Sequence, residues 1–229
     1  TVLARRSTRW TNSPAVSPAS WRAFALIGPS ILATEMLSAL RLNADKLVVG
    51  ALFGTEVLGI YYFAFNAGLG ITQSFVAACN LVVFPHLAKT AASEGAAEFR
   101  KAFATGLAML APVVAAQALL APFYVPLVFG ETWIPAVPYI ALLSLAALPL
   151  YAGSLVGAAL RVESRPQHET LLTAAGSAAA LTGLAAGAPF GLAAACLGYG
   201  AGLALIFLPA AIRRLAKPAS PTFQTEGAL

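Results

Sequence analysis

Residues 170–212 read TLLTAAGSAAALTGLAAGAPFGLAAACLGYGAGLALIFLPAAI, without one charged side chain. A helix needs about 20 apolar residues to cross a bilayer core of ~30 Å, so this run is long enough for two crossings. Ala188-Pro189-Phe190-Gly191, near its centre, is a turn signal that divides it. Three further uncharged runs, Val57 to Pro85, Ala102 to Gly130 and Thr132 to Leu160, each hold one crossing. Composition agrees, with 59% of the 229 residues hydrophobic, only 10% charged and a mean hydropathy of +0.79. A soluble domain carries roughly 25% charged residues to solvate its surface. A soluble fold is excluded, and the chain reads as a polytopic membrane protein.

Working outward, the first span starts near Ser20, an N-cap before Trp21, and runs to about Phe53, with Gly54 to Gly59 as the turn. The second runs from about Val57 to Ala88, the third from Ala97 to Ala121 around Pro112, and the fourth from Pro135 to Val162 around Pro149. With the divided final run the count is six. The expectation is an all-α integral membrane fold: a cytoplasmic linker over residues 1–20, a six-helix bundle over 21–217 and a cytoplasmic tail over 218–229. The polar start lacks the apolar core of a signal peptide and an initiator methionine, so the sequence reads as a segment of a longer protein.

The basic residues test this topology. Arg5, Arg6, Arg9 and Arg22 precede the first span, and Lys89, Arg100 and Lys101 separate the second and third. Arg161 and Arg165 separate the fourth and fifth, and Arg213, Arg214 and Lys217 follow the sixth. All fall on one side, and the other side holds only Glu56 and Glu131. The positive-inside rule then puts both termini in the cytoplasm. The net charge of +5 is explained by topology and by contact with anionic membrane lipids, and nucleic acid is not an expected partner.

Cys79 and Cys196 lie inside spans, and His86 and His168 stand alone at helix ends, so no disulfide framework, metal site or cofactor is expected. Small residues recur at Gly153/Gly157, Gly183/Gly187 and Gly198/Gly202, a spacing that lets helices pack closely.

Polarity is concentrated in two places. The first span carries Glu35, Arg41, Asp45 and Lys46, each costing ~2.5–3.5 kcal/mol near the bilayer centre on insertion scales. At 100° per residue, Thr34, Glu35, Ser38, Arg41, Asp45 and Lys46 share an arc of about 140° opposite Met36, Leu37, Leu40, Ala44 and Leu47. Either Arg41 and Asp45 neutralise each other while Lys46 snorkels to the outer interface, or the face is a substrate or ion pathway. In the second span Tyr62, Asn66, Gln73 and Asn80 fall within about 40° as a narrow stripe. It reads either as interhelical hydrogen-bond glue or as a surface for sugar hydroxyls, beside a charged face suited to phosphate. Glu35 has only Ile31, Leu32, Ser38 and Ala39 at helical neighbour positions. With no basic partner in reach it is expected to be an isolated carboxylate that either takes up a proton or binds a cation, and so is an ion-coupling candidate together with Asp45, or stays a neutral carboxyl hydrogen-bonded to a neighbouring helix.

These residues carry a family resemblance. NADKLVVGALFGTEVLGIYYFAFN (Asn43 to Asn66), VVFPHLAK (Val82 to Lys89) and PLVFGETWIPAVP (Pro126 to Pro138) resemble the second six-helix bundle of the polysaccharide-exporter family of lipid-linked oligosaccharide flippases, within a superfamily that includes multidrug exporters. Glu35 makes the chain look closer to the colanic-acid-exporter type. The resemblance implies one bundle of a two-bundle transporter fold in the bacterial inner membrane. It implies alternating-access movement of an undecaprenyl-diphosphate-linked oligosaccharide for surface polysaccharide biosynthesis, with a missing first bundle or equivalent partner chain. By position, Asp45 and Lys46 match the family's Asp-basic motif, Gly50, Gly54 and Gly59 its turn glycines, and Gly130 and Trp133 its later loop. The substrate-binding candidates are Arg41, Lys46, Tyr62, Asn66 and Gln73. A small-molecule antiporter of the same superfamily is the alternative, and Arg41 and Lys46 weigh against a cationic substrate. A membrane glycosyltransferase or acyltransferase would need catalytic groups in a loop at the membrane face, where the outer loops offer only Glu56 and Glu131. No Gly-rich loop ending in Gly-Lys supports ATP hydrolysis, and the chain is read as a non-enzyme.

Overall fold

The computed structural model describes residues 18–90 and 95–216, and within these the side chains of 28–79, 81 and 96–216. Most of the expected linker, the expected tail and the side chains of Asn80 and His86 lie outside the described residues. The chain is an all-α membrane protein, and no strand occurs among the described residues. Helix α1 spans Pro18–Phe65 and α2 Ile71–Thr90, joined by a π-helical turn at Asn66–Gly70. Then come α3 (Gly95–Phe129), a 3₁₀ turn (Glu131–Ala136), α4 (Val137–Leu145), α5 (Ala147–Val162), α6 (Pro166–Gly187), a 3₁₀ turn (Ala188–Phe190) and α7 (Leu192–Leu215). Ser20 lies inside α1 rather than capping it, because the helix already begins at Pro18, a residue whose ring suits a first turn.

Among the described residues, five helical stretches are long and apolar enough to cross a membrane: Gly28–Cys79, Ala96–Phe129, Glu131–Val162, Pro166–Phe190 and Leu192–Leu215. The first is a hairpin. Gly54 adopts φ 85°, ψ 177°, and Tyr61 Oη lies 2.9 Å from Asp45 Oδ2. Residues this far apart in a straight helix would be about 24 Å apart. Gly130 (φ 89°, ψ 166°) and Gly191 (φ 100°, ψ 172°) repeat nearly the same backbone at alternate turns, where a side chain would be strained. The turn at Ala188–Gly191 is thus where the sequence placed it.

Two helices are broken where continuous ones are expected. Pro149 donates no hydrogen bond and its ring conflicts with the carbonyl four residues earlier, which is Leu145, the last residue of α4. The fourth span is accordingly two helices meeting at Ala146. The π turn has a tertiary cause: Gly68 is pressed against α4 so closely that a Cβ would sit 2.7 Å from the Ile140 carbonyl oxygen. The carbonyls this turn frees are satisfied by Gln117 Nε2, 2.9 Å from Ala67 O, and by Thr72 Oγ1, 2.9 Å from Leu69 O. The third helix also runs past Ala121 to Phe129, carrying Pro122 and Pro126 with it.

Helix α5 is central: Tyr151, Ala152, Gly153 and the run Leu155 to Ala159 are all buried. Leu40, Leu47, Leu119, Phe123, Leu127 and Leu205 point outward, the apolar coat a helix bundle shows to lipid. The small-residue ridges divide into two kinds. Gly183 and Gly198 face each other backbone to backbone, as do Gly202 and Ala179, which locks α6 to α7. Gly153 and Gly157 instead make room for side chains, the ring of Phe207 and the carboxyl of Glu169.

Candidate functional site

Helix α1 turns its polar face inward: Thr34, Arg41 and Asp45 are buried, while Met36, Leu40 and Leu47 are exposed. Below the Gly54 hairpin α1 packs along α6, and α2 packs along α5 and α3. The two arms therefore diverge, and a cavity of about 570 Å³ lies between them. Thr34, Glu35, Ser38 and Arg41 line one wall, Ala77 and Leu81 the other, and α5 the floor.

Above the cavity, Asp45 is fully buried and accepts three hydrogen bonds, from Tyr61 Oη at 2.9 Å, the Lys46 amide at 2.8 Å and Lys46 Nζ at 3.4 Å. Lys46 Nζ also donates to the Leu42 carbonyl and sits 3.9 Å from the centroid of the Phe65 ring. The snorkelling alternative is therefore not what forms, because a carboxylate, a carbonyl and a ring face hold the ammonium in place. Nor is Asp45 the counter-ion of Arg41. Arg41 Nη1 donates to Tyr199 Oη on α7 at 2.6 Å, and among the described residues no carboxylate lies within ion-pair distance of its guanidinium. A guanidinium carries five N–H donors, and this one, 7% exposed and lining the cavity, uses one of them. A buried cation in this state is a strong attractor for an anionic ligand.

Tyr62 and Asn66 lie on the exposed side of the second arm, where Asn66 Nδ2 bonds the Tyr62 carbonyl at 2.7 Å. Gln73 is half-buried beyond the π turn. The stripe expected from a continuous helix is interrupted, since a π turn rotates everything after it by about a quarter turn. Tyr62 still adjoins the charged face, 6.0 Å from Lys46 Nζ, but neither it, Asn66 nor Gln73 lines the cavity.

The expected isolation of Glu35 is also overturned. Arg161 Nη2 lies 3.2 Å from Glu35 Oε1, and Arg161 Nε lies 2.6 Å from Glu169 Oε2. Arg161, expected among the cytoplasmic bases at the end of the fourth span, lies in the last turn of α5, and the short turn at Ser164 (φ 57°) brings Glu169 of α6 beside it. The residues missed are therefore Arg161, Glu169, Tyr61 and Tyr199. A tyrosine hydroxyl in mid-span needs a partner, and that is the signal that would have paired Tyr61 and Tyr199 with the charges of α1.

A family model described as polysaccharide biosynthesis protein matches residues 1–138, more than half of the chain. The lipopolysaccharide biosynthesis protein WzxC of Escherichia coli (strain K12) is 26% identical over 142 residues, covering 60% of this chain and 28% of the relative. The teichuronic acid biosynthesis protein TuaB of Bacillus subtilis (strain 168) is 26% identical over 153 residues, covering 65% of this chain and 29% of the relative. The matched region thus spans less than a third of these relatives. No solved structure matches.

Proposed function

This chain belongs to the polysaccharide biosynthesis protein family, and from that membership we propose that it is one helical bundle of a polysaccharide exporter. Its substrate is an oligosaccharide on an undecaprenyl diphosphate carrier, moved across the bacterial inner membrane by alternating access and without enzymatic chemistry. The names of its relatives, in lipopolysaccharide and teichuronic acid biosynthesis, support the polysaccharide part of this reading. The observation that carries the anionic carrier is Arg41, a buried guanidinium with one hydrogen bond, no carboxylate partner and a cavity before it. The same observation disfavours a cationic-drug antiporter. Lys46, Tyr62, Asn66 and Gln73 lie outside this cavity and would meet substrate only where a second bundle adds its own wall, and Asp45, fully buried, is the ion-coupling carboxylate.

Arg41→Ala should reduce export by about 10- to 100-fold, the range for losing charge-assisted hydrogen bonds, and Arg41→Lys by less. The measurement is accumulation of the lipid-linked intermediate in cells whose surface polysaccharide depends on this protein. Wild-type export by Arg41→Ala at equal protein level would remove the anion-site reading.

With the divided first stretch counted as two crossings, the bundle has six and both termini are cytoplasmic. A cysteine at Thr55 or Thr132, both exposed, should then react with an impermeant thiol reagent from outside, and one at Gln167 should not. Reversed labelling would invert the orientation.

A further inference from the structure

The two contacts of Arg161 are unequal. Glu169 is 7% exposed and holds Nε at 2.6 Å, and its carboxyl fits only because Gly157 has no side chain, where a Cβ would lie 2.9 Å from Glu169 Oε1. That contact fixes the plane of the guanidinium. Glu35 is 65% exposed, meets Nη2 at 3.2 Å and makes no other hydrogen bond among the described residues. An exposed ion pair of this length contributes little, because water competes for both partners and a free glutamate regains its rotamers. A phosphate group offers more oxygens, more charge and a bidentate fit to the Nη1–Nη2 edge that Glu169 leaves open.

Arg161 also shares the cavity with Arg41, whose guanidinium is already short of acceptors. As the structure stands, Glu35 and Glu169 balance the two cations. Once Glu35 swings away, the charged groups of the lining are two guanidinium groups and one carboxylate, a net charge of one positive. Ser38 and Thr173 add hydroxyl groups to its lining, while Leu150 and Phe207 leave the rest of the wall apolar. That combination fits a phosphorylated headgroup attached to something less polar.

We propose that Arg161, aligned by Glu169, is a second phosphate-binding guanidinium of this cavity, and that Glu35 is a built-in competitor occupying it until a ligand phosphate displaces it. The inference rests on the anionic-carrier reading above and deepens it. Glu169 is a positioning residue. Glu35 becomes the group that must move on loading, so an empty bundle holds α1 against the α5–α6 turn and a loaded one releases it.

The test is binding to the full-length protein in neutral phosphatidylcholine nanodiscs, with inorganic pyrophosphate and farnesyl diphosphate as probes. Glu35→Gln should bind pyrophosphate about 2- to 5-fold more tightly, the suppression an exchangeable exposed ion pair can exert. Arg161→Ala should weaken binding about 10-fold and abolish the gain from Glu35→Gln. Glu169→Gln should weaken it by a smaller factor. A purely structural ion pair gives the opposite sign at Glu35, with affinity unchanged or lower. Tighter binding of farnesyl diphosphate than of pyrophosphate identifies a lipid headgroup as the source, and equal binding identifies free phosphate; either upholds the exchange. No gain in Glu35→Gln, an equal gain without Arg161, or no binding of either probe to any variant overturns it. The two readings separate cleanly. Arg41-dependent export without a Glu35→Gln gain rejects the competitor and keeps the exporter, and the gain in a protein that exports nothing does the reverse.

Discussion

Gly198→Leu should abolish recovery of a monodisperse protein, or lower its melting temperature by more than ~10 °C if any folds. The reason is that the obstacle is backbone. A Cβ at Gly198 would run into the carbonyl of Gly183, and that carbonyl belongs to a helix whose own hydrogen bonds hold it in place. Ordinary overpacking costs ~1–3 kcal/mol because flexible side chains give way. Here α6 and α7 must separate along their whole contact, which also runs through Gly187 against Ala194 and Gly202 against Ala179. Gly200→Ala is the control, since its Cβ would meet only the Ala146 methyl at 3.7 Å. Size-exclusion chromatography of both variants after heating decides the matter. Equal behaviour would mean that the α6–α7 seam is not the rigid element it is taken to be.

Asp45→Ala should be nearly as damaging, for an electrostatic reason. Removing the carboxylate strips the ammonium of Lys46 of its anion and the Tyr61 hydroxyl of its acceptor, both within the membrane. Breaking a buried ion pair from one side costs ~3–5 kcal/mol, because the remaining charge stays unpaired. Asp45→Asn keeps an acceptor for Tyr61 and should lose about half as much. A double variant, Asp45→Ala with Lys46→Leu, should recover part of the loss by removing the stranded cation. Thermal denaturation in detergent reads all three. If the double variant is no more stable than Asp45→Ala, the stranded Lys46 ammonium is not the source of the loss, and the Tyr61–Asp45 hydrogen bond between the arms carries it.

The membrane fold was legible because charge-free runs and turn glycines are local signals. The reversal at Gly54 and the turn at Ala188–Gly191 need only chain-neighbour information. The break before α5 was half legible. Pro149 was visible, but its effect falls four residues earlier, at Leu145. The π turn at Asn66–Gly70 was not legible at all, since NAGLG reads as ordinary helix and its cause is Ile140, with Gln117 completing it. The polar face of α1 was read correctly as a face, but its partners were not. No basic residue stands at a helical neighbour position of Glu35, and Arg161 is 126 residues distant. Sorting every arginine near a turn to the solvent side also hid Arg161, whose side chain is long enough to reach back between helices.

The reversal at Gly54 bears on how the protein enters a membrane. The first arm alone carries Glu35, Arg41, Asp45 and Lys46, each adding ~2.5–3.5 kcal/mol to insertion at the centre of a lone segment. Such a segment partitions poorly when offered to lipid by itself. Tyr61, the hydroxyl that donates to Asp45, arrives on the next arm, and one residue with left-handed backbone joins the two. A connection that short leaves no room for one arm to settle before the other. The pair is expected to enter the bilayer together, and a chain halted between the arms should leave the first at the membrane surface.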